Sequence, residues 1–468
     1  TARETPKGVQ LEGQWNDITF QYELRANRID FTDSVRPLLP LAVRQTCDAM
    51  GVKGTVSDIL LRGSTEQPVT EAQVDLRNLA LDLPQVIARD AWQRFSEGER
   101  GAAVGVPRMT VDRGRIVLRG DKLTLQDLEG RLQSVSRAPT SGEAPGMEPA
   151  QTAVPLPVRV SVEMDFSKAP IPSSLTDVDA WFNDALQHCG LRVQFDVPSF
   201  ALKRSRPEER WVAELPRIVV NILENFTVRQ GTIKIHAEAT REATSPEMEP
   251  PDLVASGWLK IEDGEGKYIN FPYPLTEVFA DIHFDGDQIA VNSLTARGSN
   301  HCRMEITGAV DGTDDDAGVQ LRVCTRSPAP IDLALQNAFD AGPRKIFELL
   351  FARAMRDRLV QHGLLAAEGT ELGGTCDFSI DVKRARRGGS HVETTGWIDV
   401  HKARVLCERF PYPITVDSGR IDLEDERIVL PPGTWQFTTA AGGSGSIDGN
   451  VRIPRVGKGR DAFPKLRR

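Results

Sequence analysis

Apolar residues recur at every second position through most of this chain, the period of a β-strand with one dry face and one wet face. Ile18, Phe20, Tyr22 and Leu24 alternate with Thr19, Gln21 and Glu23. Val158, Val160, Val162, Met164 and Phe166 alternate with Arg159, Ser161, Glu163 and Asp165. The pattern returns at Leu191, Val193, Phe195 and Val197, at Ile233 and Ile235, and at Leu321 and Val323. It persists at Phe378, Ile380 and Val382 and at Ile447, Val451 and Ile453. Such runs predict antiparallel strands, with Asp263-Gly264, Asp285-Gly286 and Asp311-Gly312 as the turns between them.

Three stretches change to helical spacing: roughly Ser34 to Met50, Thr176 to Cys189 and Ile331 to His362. Each precedes a glycine, Gly51, Gly190 or Gly363, suited to a left-handed cap. Val178, Trp181, Phe182, Ala185 and Leu186 make an apolar stripe in the second, and Ile346, Leu349, Leu350 and Leu359 make one in the third. Pro343 predicts that the third stretch divides into two helices. Arg137 to Pro157 and Thr240 to Asp252, rich in proline and small residues, read as loops. Helix, glycine and strands then follow one another about three times. This grammar predicts units over 1–155, with a helix near 34–50, over 156–325, with a helix near 176–189, and over 326–468, with helices near 331–362.

One passage is written twice. Gly257, Trp258 and Leu259 precede Phe271-Pro272-Tyr273-Pro274-Leu275-Thr276, and Gly396, Trp397 and Ile398 precede Phe410-Pro411-Tyr412-Pro413-Ile414-Thr415 at the same internal spacing. A repeat of this length implies one structural unit laid beside another, and a function that belongs to a repeated surface. The prolines place each passage at a strand edge or at a sharp bend where a unit begins. Trp258 and Trp397 either fill the same core slot in each copy or offer aromatic platforms to sugars.

Composition narrows the function classes. The chain has 468 residues, 40 % of them apolar, which is ample for a large core, and a formal charge of −9 that argues against a nucleic-acid surface. Arg384, Arg386 and Arg387 and the tail from Lys458 to Arg468 are local basic clusters that read as solvated loop and tail. No run reaches the roughly 18 to 20 apolar residues of a membrane span, and no signal peptide opens the chain. A chain that starts at Thr1 fits a mature or excised piece. The six cysteines contain no CxxC or CxH pair, so neither a metal nor another cofactor is expected. Cys302 and Cys324 flank the turn around Asp311 to Gly318 and are either a cross-hairpin disulfide or two buried thiols.

No catalytic constellation emerges, and the chain reads as non-enzymatic. His188, His236, His283, His301, His362, His391 and His401 stand singly, where surface placement is the default. Gly442-Gly443-Ser444-Gly445-Ser446 has no following helix and reads as a hairpin turn, without a phosphate loop or a nucleophile elbow. Asp311, Asp314, Asp315 and Asp316 lack the spacing and terminal Glu of an EF-hand. A polysaccharide-processing enzyme would need a carboxylate cluster that the sequence does not display.

The passage from Phe410 to Thr415, followed by Ser418-Gly419-Arg420-Ile421-Asp422-Leu423 and Arg427-Ile428-Val429-Leu430, resembles the C-terminal repeats of AsmA-like and TamB-like proteins. So does its counterpart, in which Phe271 to Thr276 lead to Asp281-Ile282-His283-Phe284, Asp287-Gln288-Ile289-Ala290-Val291 and Ile306-Thr307-Gly308. The resemblance covers roughly 255–455. It implies a mainly β fold: an elongated, strongly curved antiparallel sheet, a β-groove built from repeats, with a few helices capping or separating them. It also implies a periplasmic, cell-envelope protein that bridges membranes for phospholipid movement or outer-membrane biogenesis, anchored through a segment absent from this chain. Phospholipid or another acyl lipid is then the expected partner, with membrane-anchored or outer-membrane proteins beside it and no nucleic acid.

The residues support the same expectation physically, because a bent sheet with one greasy face is an apolar trough worth about 0.8 kcal/mol per buried methylene. In the first half of the chain the expected lining is Phe20, Tyr22, Val160, Val162, Val193 and Phe195. Further on it is Ile233, Ile235, Leu321, Val323, Phe378 and Ile380, and then Ile398, Val400, Ile421 and Leu423. The alternative is a repeat scaffold with an ordinary dry core, docking partner proteins or envelope polymers through its strand edges.

Overall fold

The computed structural model describes residues 10–16, 21–31, 53–64, 70–82, 106–135, 156–168, 187–203, 226–249, 251–268, 271–312, 317–338, 350–365, 372–386, 392–407, 410–424, 427–439, 442–447 and 451–454, with single positions at 185, 219, 222, 223, 344, 347 and 348. Among these residues the chain is mainly β, an antiparallel meander interrupted by two short helices. The expected helix over Ser34 to Met50, most of the one over Thr176 to Cys189, the loop before Leu156, Phe20, Asp314 to Asp316 and the basic tail lie outside the described residues. Two compact units are present. The first comprises Thr1–Phe200, Glu208–Val220 and Ile233–Leu259; the second comprises Ala201–Pro207, Asn221–Thr232 and Lys260–Arg468.

The first unit is built on β1 (Gln10–Asn16), β2 (Gln21–Phe31), β3 (Lys53–Ser64), β4 (Glu71–Asp82), β5 (Val106–Arg119), β6 (Lys122–Val135), β7 (Leu156–Asp165) and β8 (Gly190–Lys203). Each strand pairs antiparallel with the next. Because the side-chain period is two, this registry collects the apolar positions on one face. Leu24, Leu61, Ala72, Leu118, Leu123, Met164 and Leu191 are successive cross-strand partners, and so are Ala26, Ile59, Val74, Ile116, Leu125, Val162 and Val193. The opposite face carries Glu23, Arg62, Glu71, Arg119, Lys122 and Asp165 in the same order.

Two slips of phase interrupt the alternation without breaking the apolar face. Leu76 and Leu79 are three residues apart yet both buried, because Asn78 bulges with φ 51°; Leu125 and Leu128 behave alike around Asp127, with φ 47°. Asn and Asp are the non-glycine residues that enter the left-handed region most readily. The same device corrects one expectation. Asp263-Gly264 is no hairpin turn; Asp263, with φ 51°, is a bulge inside β10 (Val254–Tyr268). β9 (Gln230–Arg241) pairs with β10, and both contribute residues to the two units.

The second unit continues through β11 (Phe271–Asp285), β12 (Gln288–Arg297), β13 (Arg303–Asp311), β14 (Gly318–Thr325) and β15 (Ala329–Pro330). Helices α1 (Leu333–Ala338) and α2 (Arg353–Gln361) precede β16 (Gly373–Arg384), β17 (Glu393–Cys407) and β18 (Phe410–Glu424). The two helices flank Pro343, as its sequence position predicts, and Gly363, with φ 70°, follows the end of α2. The ladder runs β11-β12-β13-β14-β16-β17-β18, with β15 also against β16. β18 then forks to β19 (Arg427–Leu430) and β20 (Trp435–Thr439), which pair with β22 (Val451–Pro454) and β21 (Ser444–Ile447). Ala280, Leu294, Ile306, Val323, Ile380, Gly396, Leu423 and Ile428 form its central apolar row.

The strong curl expected of a groove is not a property of these ladders. Each is an open sheet, neither closed nor strongly curled: among the described residues no pairing joins the first strand of a ladder to its last.

Candidate functional site

The apolar face divides into covered and open parts. Among the expected lining residues, Val160, Val162, Phe195, Ile233, Ile235, Phe378 and Val400 are buried. Tyr22, Val193, Leu321, Val323, Ile380, Ile398, Ile421 and Leu423 are half-buried. In the first unit the division follows position along the strands. Leu79, Met109, Val111, Leu132 and Leu156, at one end, are at most 2 % exposed. At the other end Leu61, Ala72, Leu118, Leu123 and Leu191 are half-buried and Leu24 is 40 % exposed, while Met164, between Leu123 and Leu191, is buried. The sequence reading treated all inward positions alike; only tertiary packing separates them.

The wet face is an ion-pair lattice. Glu23 accepts from Arg25 and Arg62, Arg62 also reaches Glu71, and Glu71 accepts from Arg119, all at 2.8–2.9 Å. Arg113 and Arg159 hold the Glu129 carboxyl down to about 2. Arg386 bridges Asp311 and Asp287, so this member of the expected solvated basic cluster is ion-paired and the acidic hairpin tip is charge-compensated at Asp311; Arg384 donates to the Ala317 carbonyl, and Arg387 lies outside the described residues.

The paired tryptophans lie on this wet face, which corrects the core-slot reading. Trp258 is half-buried and stacks on His236 with ring centroids 5.9 Å apart. Trp397 lies 5.1 Å under the Arg420 guanidinium, which also pairs with Asp422 and Asp399. Three histidines expected to stand alone meet aspartates: His236 with Asp196 at 2.6 Å, His401 with Asp377 at 3.0 Å and His283 with Asp281 at 3.1 Å. His188, by contrast, is buried. The repeated glycine has a steric cause, since a Cβ on Gly396 would fall 2.1 Å from the Ser379 carbonyl oxygen.

The cysteine question resolves against a disulfide. Cys324 pairs in register with Glu305 on the wet face, whereas Cys302 shares the parity of Met304 and Ile306 on the apolar face. Cys302 Sγ instead lies 3.7 Å from the Tyr273 hydroxyl. That hydroxyl also accepts from the Ser299 backbone N–H at 3.1 Å, and burial pushes both the phenol and the thiol upward. Burial likewise raises the Cys376 thiol to about 12, which leaves it inert as a nucleophile at neutral pH.

The second unit also holds a small apolar hollow between Phe226, Val228, Ile261, Leu275, Val278, Ile282 and Leu294, beside Gly264 and Gly266. Among the described residues no group of His, Cys, Asp or Glu could hold a metal ion, and no helix is long and apolar enough to cross a membrane. No family model, curated protein or solved structure matches the chain.

Proposed function

We propose that the chain is a non-enzymatic lipid-handling protein of the cell envelope, in the manner of AsmA-like and TamB-like proteins, whose apolar face serves as one wall of a groove for acyl chains. The observation that carries this reading is the half-open run of Leu24, Leu61, Ala72, Leu118 and Leu123, which ends at buried Met164, at one end of an otherwise covered face. From β2 to β6 at about 4.8 Å per strand, that lane is about 20 Å long. An extended acyl chain occupies about half of a 30 Å hydrocarbon core, so the lane holds one with room to move. At about 0.8 kcal/mol per methylene, retention needs no specific polar contact. The inert buried thiols and the compensated charges of the wet face agree with a role in holding rather than transforming a ligand.

A photo-crosslinker at Leu118 or Ile380, set against neighbouring wet-face controls at Arg119 and Asp381, tests the reading in natively expressed protein. Lipid adducts at the first pair and none at the second are expected. Equal labelling at all four, or none, would discard the lane. A scaffold that docks proteins by strand addition is favoured by one feature: β1 pairs with β2 on one side, and its residues Gly13 to Asn16 are exposed, Trp15 by more than half.

A further inference from the structure

The arginines of the sheets and those of the helical insert keep different company. On the strands Arg62, Arg115, Arg119, Arg159 and Arg322 pair with carboxylates, as does Arg326 just after β14, although Arg384 on β16 donates to the Ala317 carbonyl. In the insert Arg344 donates to the Asn337 carbonyl at 2.7 Å, Arg353 to the Gln336 side-chain oxygen at 2.9 Å and Arg358 to the Ala354 carbonyl at 3.3 Å, all neutral acceptors. Arg356 pairs with its neighbour Asp357, and Asp332 is the carboxylate felt by Arg353. Arg344 Nε is buried with no hydrogen-bond partner among the described residues.

Arg344 and Arg353 therefore converge on adjacent residues at the end of α1, and Arg356 follows Arg353 by one helical turn on α2. From 344 to 365 the sequence carries five basic residues against two acidic ones, in a chain whose net charge is −9. Leu333, Leu350 and Leu364 are exposed here, and α2 buries none of its residues. The guanidinium groups of Arg344 and Arg353, whose hydrogen bonds among the described residues go to neutral oxygens, match phosphate oxygens, and the exposed leucines of the same insert match an acyl boundary.

We propose that this corner of the second unit, formed by Arg344, Arg353 and Arg356 with Leu333, Leu350 and Leu364, binds the phosphate of an anionic phospholipid headgroup. This deepens the lipid reading by naming the polar end of the ligand and the place where the protein meets a membrane surface.

Flotation of the full chain with phosphatidylcholine vesicles, with and without about one third phosphatidylglycerol, tests it. Wild type should float with the anionic vesicles, and added salt or inorganic phosphate should release it. Arg344→Gln with Arg356→Gln should weaken flotation by about tenfold to thirtyfold. Leu350→Ser with Leu364→Ser, both at exposed sites, should weaken it without changing the melting temperature, which keeps the test valid if the arginine variant unfolds. Equal flotation of wild type on both vesicles or on neither, or of both double variants as strongly as wild type, would overturn the proposal. The arginine variant should still crosslink lipid at Leu118, so failure of the corner and failure of the lane give different results.

Discussion

Tyr273 and Tyr412 occupy the same place in a repeated passage, yet Tyr273 is 1 % exposed and Tyr412 is 39 % exposed. The backbones around them agree closely. β9 and β16 are both 12 residues long, β10 and β17 both 15, and β11 and β18 both 15. Asp263 and Lys402 bulge at matching positions, with φ 51° and 49°. What differs is the cover. In the first copy a 3-10 turn, Ser299–His301, folds over Tyr273 and satisfies its hydroxyl. In the second, the chain after β19 pairs back on Ile414 to Ser418 as β20. A repeat thus encodes a backbone course and a wet face, while the lid over its dry face is supplied by whatever follows.

The largest test of that difference is truncation. Tyr273→Ala should cost about 3–5 kcal/mol, the range for deleting a buried aromatic side chain, and Tyr412→Ala less than about 1 kcal/mol. Urea midpoints at constant slope measure both. Similar losses would mean that the two copies are covered alike in solution. Next comes the lid itself. A Cβ at Gly298 would sit 2.3 Å from Tyr273 Cε1 and 2.8 Å from Cys302 Sγ, so Gly298→Ala should cost about 1–3 kcal/mol by overpacking. In the Tyr273→Ala background that cost should largely vanish. A cost that persists would place the strain elsewhere.

Much of this was legible in the residues. Alternation marked the strands, whereas the bulges at Asn78 and Asp127 escaped notice and the one at Asp263 looked like a turn. Pro343 and Gly363 marked the division and the end of the helical insert. The covered and open halves of the apolar face were not legible, because Leu132 and Leu118 look alike in sequence and differ only in what packs on them. Nor were the pairs of His236 with Asp196 and His401 with Asp377, whose members lie 40 and 24 residues apart and meet only across strands. The arginine corner escaped for a related reason: a charged residue in a helix reads as solvated until its neighbours are seen to be neutral.

The tryptophans give a smaller contrast. Arg420→Met should cost about 0.5–1 kcal/mol through loss of the cation–π contact with Trp397. The stacking of Trp258 on His236 should have a similar worth, about 0.5–1.5 kcal/mol. Thermal melts of Arg420→Met and His236→Gln compare the two, and a cost confined to one copy would show that the matched aromatics are not equivalent.

The smallest expected effect concerns the wet face, where the copies should agree. Glu238 on β9 meets Arg192 at 2.8 Å, and its repeat counterpart Asp381 on β16 meets Arg322 at 2.8 Å. Arg192 holds the Glu238 carboxyl below its ordinary value, against the opposing effect of burial. A depressed folded-state pKa contributes stability that is present above the unfolded value, about 4.3, and is lost as pH falls through the folded one. Glu238→Gln should therefore lower stability at neutral pH by less than about 1 kcal/mol, since the pair is partly solvated, and the gap from wild type should close as pH drops from about 5 toward 3. Asp381→Asn should match it at neutral pH, because both replacements leave one cross-strand arginine without its carboxylate on the same face. Equal costs here, together with unequal costs at the two tyrosines, would locate the divergence of the copies in the cover of the dry face, where a groove is either sealed or left open to an acyl chain.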